Sequence, residues 1–170
     1  AASDIDADET QSLSVSSHSS TKSGKSKALP RALKVYERAN ERWEYAVLPS
    51  PDGEFRHVSF VNGIFTSKGG KHVDYIINKI VKKVTAYIAE KKKVDVKPAV
   101  IKEQLMLFLR CDIINPSFDS QTKDTLTTPS SLFEGKDTKK CAYAPDVSDA
   151  FIEKVAKKLD VMANACLITE

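Results

Sequence analysis

No apolar run in the 170 residues approaches the roughly 18 that a membrane-crossing helix needs. The chain does not open with the basic-then-apolar pattern of a secretory signal either. Both absences argue against a membrane partner. Cysteine is scarce: Cys111, Cys141 and Cys166 are odd in number, widely spaced and form no C-x-x-C. That speaks against a disulfide framework or a zinc site and for a reducing compartment. The three histidines, His18, His57 and His72, lie far apart and have no ligand-like spacing to the cysteines. They read as structural or exposed residues rather than metal ligands. There is no G-x-S-x-G and no H-E-x-x-H. Ser23-Gly24-Lys25-Ser26 falls short of a phosphate-binding loop, because Ser19 stands where that motif needs glycine and no strand precedes it. The sequence therefore contains no self-sufficient active site. It reads as a domain that contributes residues to a site completed elsewhere.

What is present fits one domain of ordinary size plus a tail, with 41% hydrophobic and 29% charged residues. The first residue is Ala rather than Met, so the chain is expected to be processed or cut from a longer polypeptide. Residues 1–29 differ from the rest. Asp4, Asp6, Asp8 and Glu9 are followed by a Ser/Thr-rich segment and then by Lys22, Lys25 and Lys27. This stretch has too few large apolar side chains to offset its ordering entropy, so it is expected to be a flexible linker or insertion. The domain is placed at 30–170. A net charge of +3 is too small to establish a nucleic-acid partner, and its distribution matters more.

From about Ala32 the pattern changes. Trp43, Tyr45 and Val47 alternate as one face of a half-buried strand. The turn residues Pro49-Ser50-Pro51-Asp52-Gly53 lead to a second strand over Phe55–Val61, and the pair reads as an antiparallel hairpin. Gly69-Gly70 then opens a long helix. Val73, Ile76, Ile77, Ile80, Val81, Val84 and Ile88 recur at helical spacing, with Asn78, Lys79, Lys82 and Lys83 facing away. The glycines permit unusual backbone angles or an anion site at the helix start. Lys97-Pro98 starts a short helix through about Glu103. Leu105–Leu109 is apolar on both faces and is expected to be a central strand buried on both sides. Beyond Pro129 comes a polar connection, and Ser148 caps a last helix with Phe151, Ile152, Val155, Leu159 and Met162 inward. This order of elements predicts an α+β fold rather than a doubly wound sheet.

Two stretches are chemically suggestive. The loop Cys111–Leu126 carries Gln121, an amide that donates and accepts, and Lys123, a compact charge with three donors. Together they suit a phosphate, although a solvated surface loop has the same composition. Lys91-Lys92-Lys93 complements the dipole at the end of the long helix. It reads equally as a solvated helix end or as a cluster that neutralises DNA phosphates.

Four strings carry a resemblance in the same order and with the same spacing. They are Val35-Tyr36-Glu37-Arg38 with Asn40-Glu41-Arg42-Trp43-Glu44, then Val58–Asn62, Lys68-Gly69-Gly70-Lys71-His72-Val73-Asp74-Tyr75, and Asn115-Pro116-Ser117-Phe118-Asp119-Ser120-Gln121-Thr122-Lys123. They resemble the transducer domain of eukaryotic-type DNA topoisomerase II, a type IIA topoisomerase. The resemblance covers about Val35 to Phe133 and continues more faintly from Cys141 to Val155. It implies a fold similar to domain 2 of ribosomal protein S5, with a mixed sheet packed against a long amphipathic helix. It implies a place between a GHKL-type ATPase domain and a DNA-cleavage core. It also implies a homodimeric enzyme acting on double-stranded DNA in the nucleus, or in a viral particle or factory if the origin is viral. The cofactor so implied is ATP, with Mg2+ bound elsewhere in the full enzyme.

By the same resemblance, Gln121 and Lys123 would contact the ATP γ-phosphate, and Lys91, Lys92 and Lys93 would touch DNA. Val94-Asp95 departs from the Gly, Asn or Lys common in the family there. The ATPase motifs and the cleavage tyrosine are absent from these residues, so the chain alone is not expected to be catalytic. A stand-alone nucleic-acid-binding or scaffold module on the same fold is the alternative reading. What precedes residue 1 in the full gene separates the two.

Overall fold

The structure is a computed structural model, and it describes residues 34–134 and 145–167, with side chains of the last helix through Leu159. The expectations for 1–29, His18, Cys141, Cys166 and the inward side chain of Met162 lie outside these residues. Five strands form the main sheet in the order β1-β2-β6-β3-β4: β1 Val35–Arg38, β2 Trp43–Pro49, β3 Arg56–Val61, β4 Ile64–Phe65 and β6 Leu105–Cys111. A second, two-stranded sheet pairs β5 Gly69–Gly70 with β7 Thr125–Leu126. The helices are α1 Lys71–Lys92, α2 Pro98–Glu103, α3 Ser130–Glu134 and α4 Asp149–Leu167. This is the predicted α+β arrangement of a mixed sheet against a long amphipathic helix.

The hairpin expected between Trp43–Val47 and Phe55–Val61 does not form. β2 pairs antiparallel with β1 on one edge, Val35 opposite Val47, and with β6 on the other, Trp43 opposite Cys111. Both edges of its ladder are occupied, which leaves none for β3. β3 instead lies parallel to β6, Val58 opposite Phe108, at the far side of a crossover that contains α1 and α2. The hairpins are local. In the first, Asn40 Oδ1 accepts from the backbone N–H of both Arg42 and Trp43 at 2.9 Å and turns β1 into β2. In the second, Asn62 and Gly63, both at positive φ, turn β3 into β4.

The core fills one side of the sheet. Trp43, Tyr45, Val47, Leu105, Leu107 and Leu109 meet Val73, Ile76, Ile77, Ile80 and Val84 of α1 and Phe151, Ile152 and Val155 of α4. β6 is central by pairing, but it is not buried on both sides. Leu105, Leu107, Leu109 and Cys111 point inward, while Phe108 is 36% exposed and Arg110 is exposed. The described helices cover only one face, and on the other Phe108 lines an open groove with Tyr36, Ala46, Val58 and Phe60.

α1 and α4 follow their sequence patterns closely. Ser148 Oγ accepts from the Phe151 N–H at 3.2 Å as the expected cap. Lys79 and Lys83, expected to face solvent, turn sideways and donate to the carbonyls of Pro145 and Val147. They fasten the chain entering α4 to the flank of α1. α3 was not foreseen. It delivers Phe133, fully buried, edge-on to Tyr75 at 5.2 Å between ring centroids and against Trp43 at 5.6 Å.

Candidate functional site: the loop after the central strand

Chain leaving β6 is clamped before it becomes a loop. Asp112 N–H donates to the Arg42 carbonyl at 2.9 Å. Asn62 then bonds Ile113 twice, accepting from its N–H at 2.8 Å and donating to its carbonyl at 2.9 Å. Asn115, at φ 50, redirects the chain ahead of Pro116. The loop closes on itself at its base. Ser117 N–H donates to Thr128 Oγ1 at 2.7 Å, Thr127 N–H donates to the Ser117 carbonyl at 2.8 Å, and Phe118 bridges Leu126. Higher up, Asp119 N–H donates to the Thr125 carbonyl, and Asp119 Oδ1 accepts from the Thr125 N–H.

The tip is a turn from Ser120 to Lys123, closed by Lys123 N–H to the Ser120 carbonyl at 3.1 Å. Lys123 sits at φ 58, in a left-handed conformation uncommon for a side-chain-bearing residue. Gln121 and Lys123 are both exposed, and the Lys123 ammonium stands 5.9 Å from the ring centre of Phe118. The turn therefore brings an amide and an ammonium to the end of a loop with a fixed base. That donor set suits a phosphate oxygen arriving from outside the domain.

Sequence reasoning did not find what lies under the loop. Asp124 Oδ2 accepts from Thr122 Oγ1 at 2.9 Å, and Asp124 Oδ1 accepts from Ser67 Oγ at 3.0 Å. These hydrogen bonds, with Lys68 nearby, hold the Asp124 carboxyl below its ordinary range. Lys68 N–H donates to the Asp124 carbonyl at 3.0 Å, and the parallel pairs Gly69–Thr125 and Gly70–Leu126 follow. Gly70 has φ 130, and a Cβ there would collide with the backbone of Leu126. The adjacent glycines were the available signal, and their role is close approach to another segment. Beneath them Ser59, Thr66 and His72 form a buried chain of hydrogen bonds, with Thr66 Oγ1 3.1 Å from His72 Nε2. Burial, with a smaller contribution from His57, pushes the His72 pKa down to about 4, and burial lowers His57 as well. Both rings thus belong to the support of the loop.

Lys91, Lys92 and Lys93 are exposed at the other end of α1, where Lys93 takes a left-handed conformation and its N–H donates to the Ala89 carbonyl at 3.1 Å. From the 22 residues of α1, this end lies about 33 Å from the glycine pair. The structure thus keeps the two predicted groups apart. A groove of about 460 Å³ runs along α1 between them, lined by Lys71, Tyr75, Asn78, Lys79, Lys82 and Ser130 among others. The described residues contain no group of three or more His, Cys, Asp or Glu that could hold a metal. None of the described helices is long and apolar enough to cross a membrane.

The family model described as DNA gyrase B matches residues 8–164. DNA topoisomerase 2 of Meyerozyma guilliermondii is 42% identical over 140 residues, which is 77% of this chain and 10% of that protein. This chain therefore spans about a tenth of the length of that relative. Among solved structures, the ATPase and transducer domains of DNA topoisomerase II from Balamuthia mandrillaris match with a TM-score of 0.66 at 41% identity, covering 75% of this chain and 31% of that one. The ATPase region of Saccharomyces cerevisiae topoisomerase II matches with a TM-score of 0.63 at 38% identity, covering 74% and 30%.

Proposed function

Because the chain belongs to the DNA gyrase B/topoisomerase II family, we propose that residues 30–170 are the transducer domain of an ATP-dependent type IIA DNA topoisomerase, with 1–29 an insertion or linker. The whole enzyme is a nuclear (or viral) homodimer that changes the topology of double-stranded DNA. In it this domain stands between a GHKL ATPase domain and the DNA-cleavage core. The observation that supports this reading best is the exposed pair Gln121 and Lys123 at the tip of a loop whose base is fastened to the start of α1.

ATP supplies the γ-phosphate that distinguishes it from ADP, with Mg2+ held by the neighbouring domain. Lys123 donates an N–H to a γ-phosphate oxygen, and Gln121 adds a neutral donor beside it. Such a charge-assisted bond contributes about 1.5–3 kcal/mol. That shifts a two-state arrangement roughly tenfold to a hundredfold toward the state in which this domain is drawn against the ATPase domain and the dimer's entry gate is closed. Loss of the phosphate frees the loop, and the domain can move as a captured duplex passes through the cleaved one. Lys91, Lys92 and Lys93 neutralise DNA phosphates at the other end of α1, a contact that needs charge but little geometry.

Lys123→Ala in the full-length enzyme tests the phosphate contact. ATP turnover and strand passage are expected to fall about tenfold or more, with the thermal unfolding midpoint unchanged. ATP turnover equal to the unmodified enzyme overturns the reading. For the lysine cluster, replacement of all three by Ala is expected to lower DNA-stimulated ATP turnover and flatten the salt dependence of DNA binding by up to about three units of slope.

A further inference from the structure

We propose that the seam between Ser67–Gly70 and Asp124–Leu126 is the joint through which displacement of the loop reaches α1, with Asp124 and Gly70 as its positioning residues. The inference rests on the reading of Gln121 and Lys123 given above, but it concerns a separate step, the transfer of movement after the phosphate is held.

The loop has two anchors. One is the continuous chain from β6, clamped by Asn62 to Ile113. The other is the seam, which joins the loop to residues immediately before α1 across more than fifty positions of sequence. Lys123 is followed directly by Asp124, and Leu126 lies against Gly70, the residue that caps the start of α1. The connection from the ammonium-bearing residue to the helix is therefore three residues and one backbone pairing long. Gly70 offers the helix no side-chain cap, so the position is given over to this approach rather than to local capping.

The backbone part of the seam is short: the two pairs Gly69–Thr125 and Gly70–Leu126, preceded by the Lys68 N–H bond to the Asp124 carbonyl. A ladder of that length holds poorly by itself. The Asp124 side chain reinforces it from both directions, bonding Thr122 in the loop tip and Ser67 ahead of the helix, with the Lys68 ammonium at 4.0 Å. One carboxylate thus ties the turn that carries Lys123 to the segment that enters α1. When Lys123 is drawn toward a phosphate, this tie is the shortest route by which α1 can follow. If the seam is loosened, the tip still holds the phosphate but the helix lags.

The test uses the full-length topoisomerase and reads two quantities, ATP turnover and supercoiled plasmid relaxed per ATP hydrolysed. Asp124→Ala is expected to leave ATP turnover within about threefold and to lower plasmid relaxed per ATP about tenfold. Asp124→Asn keeps an acceptor for Ser67 and a partner for Thr122, and is expected to retain most of the ratio. Ser67→Ala, on the other side of the tie at an exposed position, shifts the ratio in the same direction by a smaller factor. Gly70→Ala is expected to act as Asp124→Ala does if it folds. A drop in plasmid relaxed per ATP with turnover retained supports the joint. An unchanged ratio in both Asp124→Ala and Ser67→Ala overturns it, whether or not turnover falls; a fall in turnover at constant ratio is what a purely structural role would give. Normal ATP turnover in Lys123→Ala instead sinks the phosphate contact, so the two failures are told apart.

Discussion

The two ends of α1 hold their charged groups by different means. At the N-terminal end Lys123 rides on a loop closed by its own backbone, bound to the helix entry by the Gly70–Leu126 pair, and supported from below by the buried Ser59–Thr66–His72 chain. At the C-terminal end Lys91, Lys92 and Lys93 stand exposed, and one bond from Lys93 N–H to the Ala89 carbonyl ends the helix. The difference matches what each contact would demand. A hydrogen bond to a single phosphate group requires a donor at a set distance and angle. Attraction to a polyanion falls off slowly with distance and tolerates mobile side chains.

The sharpest way to break this contrast is to put a side chain into the fixed end. Gly70→Ala forces a Cβ against Leu126 at a φ that L-residues rarely adopt, and it should cost roughly 3–4 kcal/mol by chemical denaturation. A cost under 1 kcal/mol would mean the two segments part easily. Acid should loosen the same end next. The folded pKa of His72, about 4, lies below its ordinary 6.5, so the neutral ring favours the folded state. That stability is fully present above pH 6.5 and is lost as the pH falls toward 4. The loss is about 2 kcal/mol between pH 7 and 5, with His57 shifted in the same direction. In His72→Gln the unfolding free energy should vary less over that interval, and an undiminished slope would assign the effect elsewhere. The other end should respond in the opposite sense. Lys93→Gly relieves a left-handed conformation at φ 55 and should stabilise by about 0.5–1 kcal/mol. The smallest effect is expected from Lys91→Ala with Lys92→Ala, within about 0.5 kcal/mol in unfolding free energy. A larger loss would show that these lysines support the fold.

Periodicity made α1 and α4 legible, because their inward residues face a core that the spacing alone implies. The inward face of β2 was legible for the same reason. Strand partners were not. β6 separates β2 from β3 through a long crossover, and nothing near Pro49–Phe55 records that. Asn62-Gly63 marked the true hairpin and could have been read as such. The expected two-sided burial of β6 failed because Met106 and Phe108 are apolar yet lie on the face that none of the described helices covers. In the site, the loop and its two polar residues were readable from composition and from the resemblance. The seam was not, since two-residue strands containing glycine leave no alternating pattern, and Asp124 looks like any loop carboxylate until Ser67 is brought to it.

The sole tryptophan, Trp43, is fully buried between Tyr75 of α1 and Phe133 of α3, and its Nε1 meets no hydrogen-bond partner among the described residues. An indole in such dry, aromatic surroundings emits at short wavelength and shifts to the red once water reaches it. The chain thereby carries its own optical reporter, placed where the sheet, the long helix and the segment beyond the loop converge. Undocking of α3 from α1 would change the colour of that emission without any label attached.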